Sequence, residues 1–451
     1  MTGVPNGWVS ARLGEVVASM SNGMPGTQNK EGVGIPVSRI ETIAAQKIDF
    51  GRIGFIKDYD TSSIERYRLQ DGDVLFSHIN SPAHLGKTAV FSGSGRLYHG
   101  INLLRLVVHR EAILPKMFDY YCKSMRLRGE FAMRAQHAVN QSSINQAKLA
   151  QFEISLPPLA EQRRIADKLD TVLARVDACR ERMARVMPLL KRLRQSIFAV
   201  ATSGRLSEDW RDGAGISSAT WMTTSVDKVA DIVDPHPSHR TPPEVADGIP
   251  YISIGDLEAT GQFNLDGSRK VGLDVLAEHR ARYTIKDGDF IFGKIGTLGK
   301  PTKLPVGLDY TISANVLLIQ PKAEVANAAF LRLVFASPAF MASVVDQSSS
   351  TSQAAFGIKK MRGTSIRLPS IAEQSEIVRR VETLFAFADR LEARLTQAQA
   401  ATDRLTPALL AKAFRGELVP QDPADEPAAD LLRRLNSQAQ PTKVARRPRA
   451  A

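Results

Sequence analysis

The chain has 451 residues, 43% hydrophobic and 24% charged, the make-up of a soluble globular protein too long for one ordinary core, so two or three domains are expected. A formal net charge of +12 and a pI near 9.7 put phosphate-bearing polymers first among partners. The absence of an apolar run of about 18 residues argues against a membrane span, and the first residues show no signal-peptide pattern; two cysteines, Cys122 and Cys179, exclude a disulfide framework or zinc cluster and fit a reducing cytoplasm.

Short strand-like runs at 34–40, 74–78 and 103–108 alternate with Gly and Pro turns, and a helical stretch follows at 115–123. Next comes Leu156-Pro157-Pro158-Leu159-Ala160-Glu161-Gln162, which returns 212 residues later as Leu368-Pro369-Ser370-Ile371-Ala372-Glu373-Gln374. Other blocks repeat too. Asp71-Gly72-Asp73-Val74-Leu75-Phe76 answers to Asp287-Gly288-Asp289-Phe290-Ile291-Phe292, Gly34-Ile35-Pro36 to Gly248-Ile249-Pro250, and Trp8 to Trp221. The second copy has its own runs at 251–254, 290–293 and 316–319 and a helical stretch at 328–336. The chain is a tandem duplication.

A long helix ends each copy. Leu169, Val172, Val176, Cys179, Met183, Val186, Leu190, Leu193 and Ile197 recur at alternating steps of three and four, and Val381, Leu384, Ala388, Leu391, Leu395, Ala398, Thr402, Leu405 and Leu409 repeat the pattern. This is a coiled-coil seam. A proline and then Glu161 or Glu373 open the helices, and Gly204 and Gly416 close them. The simplest packing sets the two seams antiparallel on each other, although each could instead lie on its own globular domain. Pro188 and Pro407 are expected to bend the helices or split off a turn. The copies match far better in the helix blocks than before them, as two docking frames would if the two heads they carry read different things.

Two dissimilar α+β domains, each followed by a Leu-Pro-x-x-Ala-Glu-Gln helix that closes on glycine, resemble the specificity subunit of type I restriction-modification systems from Trp8 to Pro420. The resemblance implies an α+β fold with two target recognition domains, 1–150 and 207–365, each reading half of a bipartite, asymmetric DNA site. Segments 151–206 and 366–420 would pair as an antiparallel coiled coil, fixing the half-site separation and docking two methyltransferase subunits, through which restriction and translocase subunits join. Glu161, Gln162, Glu373 and Gln374 are the expected docking residues. S-adenosylmethionine, ATP and magnesium are expected on those partners, with no cofactor on this chain and no membrane contact. Residues 421–451, Pro- and Ala-rich with Lys443, Arg446, Arg447 and Arg449 near the end, are expected to be a flexible basic tail.

DNA contact is expected from the polar loops. The first copy offers Ser77, His78, Asn80, Ser81, His84 and Lys87, with Asn140 and Gln141 in the later run 137–143. The second offers Lys294, Thr297, Lys300 and Lys303, with Gln347 and Gln353 in 347–353. Asn and Gln suit adenine; Lys suits guanine or phosphate. Enzyme signatures fall short. Phe91-Ser92-Gly93-Ser94-Gly95 has the shape of an S-adenosylmethionine loop without the base-holding Asn-Pro-Pro-aromatic segment such enzymes need. Ser81 stands where a phosphate-binding Gly-Lys-Thr loop requires its first glycine. The reading is therefore a non-catalytic DNA reader, with two alternatives open: a protein-binding coiled-coil scaffold, and the reader of a methylation-only complex.

Overall fold

In the strand Leu104–Val108, Leu104, Leu106 and Val108 are buried while the residues between them are only partly covered, the alternation of a sheet with one face on a core. It lies between Val17–Asn22 and Val74–Phe76 in an antiparallel sheet that ends on Thr88–Val90. The second copy builds the same order from Ala230–Val233, Val316–Pro321, Phe290–Gly293 and Gly299–Lys303. The computed structural model describes residues 4–82, 84–93, 95–138, 141–217, 221–236, 241–258, 262–348 and 355–438. They separate into a first unit, 1–182 with 398–451, and a second, 183–397.

In the first unit the sheet packs on the helix Pro115–Leu127, whose Met117, Phe118, Tyr121 and Cys122 are buried. Phe131 meets Phe76 edge-to-face at 5.2 Å, a favoured aromatic geometry. In the second unit the helices Ala328–Ala336 and Pro338–Gln347 fill that place, with Phe335 stacked on Phe340 at 4.4 Å. Among the described residues no single helix is long and apolar enough to cross a membrane. The bent pair that passes by composition is this one, and its Phe330, Leu331, Val334, Phe335, Phe340 and Val344 lie in the core. The heads also differ. The second has a helix at Leu273–Arg282, where the first uses short 3-10 turns such as Ile64–Tyr67.

Each head is closed by pairing its first strand with its last: Val9–Arg12 with Glu153–Leu156, and Met222–Ser225 with Ser365–Leu368. The chain then enters a long helix, Leu159–Thr202 or Ile371–Phe414, each of 44 residues, or roughly 65 Å at 1.5 Å per residue. Gly204 and Gly416 follow with φ of +83° and +72°, as left-handed caps.

The two helices run antiparallel within each unit. In the first, Leu169 shares a core with Leu410 and Ala413, and Arg180 pairs with Asp403 at 3.2 Å. In the second, Arg194 pairs with Asp389 and Glu392, and Phe198 packs on Phe385 at 5.2 Å. Leu169, Val176, Leu190, Ile197, Val381, Ala388, Leu395 and Thr402 are buried, whereas Cys179, Ala398 and Leu405 of the expected seam are exposed. Neither Pro188 nor Pro407 splits off a turn; both helices run through. Both prolines are exposed, so water can take the carbonyl each leaves without an N–H.

The tail differs from the expectation. Residues Ala428–Gln438 form a helix, and Ala428, Leu432 and Leu435 enter the core of the first unit. Arg164 grips Asp425 with two hydrogen bonds, and the Ala428 N–H donates to the Gly7 carbonyl. The spacing 428, 431, 432, 435 makes one apolar face, which needs a core to cover it. The basic residues Lys443, Arg446, Arg447 and Arg449 lie outside the described residues.

Candidate nucleic-acid interface

Each Asp-Gly-Asp block is a turn that launches a core strand. The Gln70 N–H donates to the Asp73 carboxylate at 2.7 Å, and Arg105 pairs with the same oxygen at 2.7 Å. In the second head the Lys286 N–H and the Gln320 amide bind Asp289 at 2.8 and 2.6 Å. Burial pushes both carboxyls above their ordinary values, against the pull of these donors. These aspartates are structural: each fixes the turn from which the next core strand starts.

The polar loop leaves the end of each of these strands. In the first head Ile79–Asn80 pairs with Gln141–Ser143, which pairs in turn with Gln136–Ala138. The Ile144 N–H donates to the His78 carbonyl at 2.9 Å. In the second head Ile295 bridges Ala355, and the Phe356 N–H donates to the Lys294 carbonyl at 2.8 Å. In the first head the two polar segments, far apart in the chain, thus pair in a small sheet of their own, and in the second the loop at Lys294 and Ile295 is joined to Ala355 and Phe356.

Within that surface the candidates separate. His84, Thr297, Lys300, Lys303 and Gln347 are exposed, and Asn80, Ser81 and Lys87 are partly so. Lys303 pairs with Asp287 at 2.8 Å, and Gln347 donates to Ser343 on its own helix. Asn80 spans its loop, donating to the Ser77 hydroxyl and accepting from the Ser81 N–H. Three expectations are corrected. Ser77 and His78 are buried, and burial holds the His78 ring below its ordinary pKa. Lys294 is buried too, its ammonium 2.7 Å from Asp234. Each sits one or two residues past a core strand, where the chain still faces inward, so none offers its side chain to a partner. Asn140, Gln353 and the side chain of Gln141 lie outside the described residues.

The expected docking residues are also corrected. Glu161, Gln162, Glu373 and Gln374 are all buried. The Trp8 indole N–H donates to Glu161 at 2.9 Å, and the Trp221 N–H donates to Glu373 at 3.0 Å. Gln162 accepts from the Leu114 N–H and donates to the Ala112 and Pro157 carbonyls. Gln374 does the same with the Asn327 N–H and the Val325 and Pro369 carbonyls. The Glu-Gln pair ties each head to the start of its own helix, and its burial keeps it from the surface a second protein would meet. Ser207 and Arg211 also bind Glu373.

Sequence reading passed over Arg126. Its side chain has lost water, which holds its pKa below the ordinary value, its Nε is buried without a hydrogen-bond partner, and it raises the positive potential at Lys87. The Gly-Lys-Thr stretch is no nucleotide loop, because the Thr88 hydroxyl is buried and donates to Asp119. Among the described residues no three His, Cys, Asp or Glu side chains converge as a metal set would.

The comparisons decide the family. A sequence profile described as "Type I restriction modification DNA specificity domain" matches residues 5–186 and again 219–398. The chain belongs to that family. It is 32% identical over 310 residues to the EcoBI specificity subunit of Escherichia coli, covering 66% of this chain and 65% of that one. It is 36% identical over 218 residues to the putative MjaX specificity subunit of Methanocaldococcus jannaschii, 46% of this chain and 51% of that one. These two matches therefore span less than two thirds of the relatives. A third, at 28% identity with the EcoKI specificity subunit of E. coli K12, covers 99% of this chain and 97% of the relative. The fold resembles the HsdS subunit of Thermoanaerobacter tengcongensis (TM-score 0.58, 20% identity, 92% and 98% of the chains). It also resembles a chain from a structure described as the basis of complex assembly and conformational transition of the type I R-M system (TM-score 0.65, 19% identity, 93% and 100%).

Proposed function

We propose that this type I specificity-family chain is the non-catalytic DNA reader of a restriction-modification complex, each head reading half of a bipartite, asymmetric site in double-stranded DNA. The observation that carries the reading is the joining of 79–80 to 141–143 in the first head and of 295 to 355 in the second. In each head the shared sheet carries a polar loop after its Asp-Gly-Asp strand, with different side chains on each, and that loop is joined to a later segment of the chain. Unlike side chains read unlike bases, so the site is non-palindromic.

The partners are two methyltransferase subunits, with restriction subunits joining through them, and S-adenosylmethionine, ATP and magnesium belong to those subunits. The complex works in the cytoplasm. With the four junction residues buried, docking falls to exposed faces of the long helices, where Met187, Leu189, Phe387 and Leu405 stand in solvent.

The test is duplex binding by the chain with its methyltransferase across a salt series. A reader that neutralises several phosphates loses roughly 10³-fold or more in affinity between about 50 and 200 mM salt. Salt-independent binding or none would instead leave a protein-binding scaffold.

A further inference from the structure

The two heads share little sequence in their polar loops. The first loop runs Ser-His-Ile-Asn-Ser-Pro-Ala-His and the second Gly-Lys-Ile-Gly-Thr, yet both close on the same three residues, Leu85-Gly86-Lys87 and Leu298-Gly299-Lys300. The structure shows why the first two are kept. Leu85 is buried in its core, and Leu298 packs against the other. Gly86 and Gly299 have φ of +76° and +89°. A Cβ at Gly86 would come within 2.2 Å of the Phe131 ring, and one at Gly299 within 2.7 Å of the Met341 side chain. Each glycine presses its turn onto a helix as only glycine can.

No packing reason accounts for the lysine. Among the described residues neither Lys87 nor Lys300 forms an ion pair with a carboxylate. Lys87 uses one of its three N–H groups on the Ala44 carbonyl at 2.7 Å, leaving two. Beside it stands Arg126, with its buried, unpartnered Nε. Lys300 is exposed and holds a left-handed backbone at φ +52°, a conformation that costs a non-glycine residue. Two like charges partly out of water are unfavourable without an anion to meet them, and a left-handed backbone at a non-glycine residue is a strain of the kind that collects at binding sites.

We infer that Lys87 and Lys300 are the DNA-backbone contacts of the two heads, one phosphate clamp built twice, with Arg126 joining Lys87 in the first. This deepens the proposed function and rests on it. A residue kept in two heads with otherwise unlike loops cannot tell their targets apart, whereas a phosphate is the same at every step of DNA. The clamp supplies register and affinity, and the residues around it supply the base preference.

The test uses the full chain with its methyltransferase and a mixed-sequence duplex as probe, comparing Lys87→Gln, Lys300→Gly, the pair combined, and Lys87→Arg with Lys300→Arg. The Lys300→Gly change relieves the left-handed strain, so folding is not at risk there. Each single loss should weaken binding about three- to tenfold at moderate salt and lower the slope of log affinity against log salt by about one, the pair by about two. The arginine variants should keep the slope, and the methylated motif should stay the same in all. An unchanged slope in the paired variant, or a motif relaxed at one half, overturns the clamp while the reader stands. Absence of salt-dependent binding by the unaltered complex overturns both.

Discussion

The indole N–H of Trp8 reaches 153 residues along the chain to the carboxylate of Glu161 at 2.9 Å, both side chains buried. Trp221 and Glu373 repeat the bond at 3.0 Å, but their surroundings differ. Glu373 also faces the buried guanidinium of Arg211, while in the first unit Arg164 turns to Asp425.

The duplicated glutamates should therefore respond differently to neutralisation. Burial raises the Glu161 pKa above its ordinary 4.5, only partly offset by the Trp8 bond. A carboxyl raised in the folded state contributes stability below its unfolded value, lost as pH rises through the folded one. At neutral pH its charge is a net cost. Glu161→Gln keeps an acceptor for Trp8, so it should change stability by less than about 1 kcal/mol at pH 7. Glu373→Gln strands Arg211 and should cost about 3–5 kcal/mol. Urea unfolding of both variants at pH 5 and 7 checks the contrast.

Deleting residues 421–451 should destabilise the first unit rather than trim a loose end. It removes Leu432 and Leu435 from the core and Asp425 from Arg164. Leu432→Ala and Leu435→Ala should each cost about 2 kcal/mol or more, read as a lowered midpoint for the unfolding step of that unit.

Acid should weaken the second head through His279. Its ring is buried, accepts from or donates to the Tyr283 hydroxyl at 3.1 Å, and meets His236 edge-on at 5.1 Å. Burial, with the neighbouring His236, lowers its pKa from 6.5 to about 4. A depressed folded pKa gives stability that is present above pH 6.5 and lost as pH falls toward 4. The slope of unfolding free energy against pH in that window should flatten in His279→Asn. His99 in the first head, also lowered to about 4 by burial, should keep its own slope.

Lys294 should prove a stability residue. Asp234→Asn leaves its ammonium buried without a counter-charge and should cost about 3 kcal/mol or more, whereas substituting exposed Thr297 should leave stability within about 0.5 kcal/mol. Thermal melting of the two variants decides it.

Much of the architecture was legible because it is periodic or repeated. The three-four spacing placed both long helices, and the tandem duplication tied Trp8 to Trp221 before either indole had a partner. The site was less legible. A Glu-Gln pair in the first turn of a helix is usually solvated, and nothing local shows that an indole 153 residues away covers it. Ser77, His78 and Lys294 read as polar loop because burial there depends on strands from elsewhere in the chain. The tail helix did carry its own signal, the apolar steps 428, 431, 432 and 435, hidden by the Pro- and Ala-rich composition around them.

The central claim is that two different heads read two halves of one site. It is tested most directly by single-molecule sequencing of methylated adenines in cells that express this chain with its methyltransferase, before and after residues 207–365 are exchanged for the corresponding segment of a relative. The account predicts a bipartite, non-palindromic motif that vanishes without the chain and changes in one half only after the exchange. A motif indifferent to the chain, or altered in both halves, would contradict it.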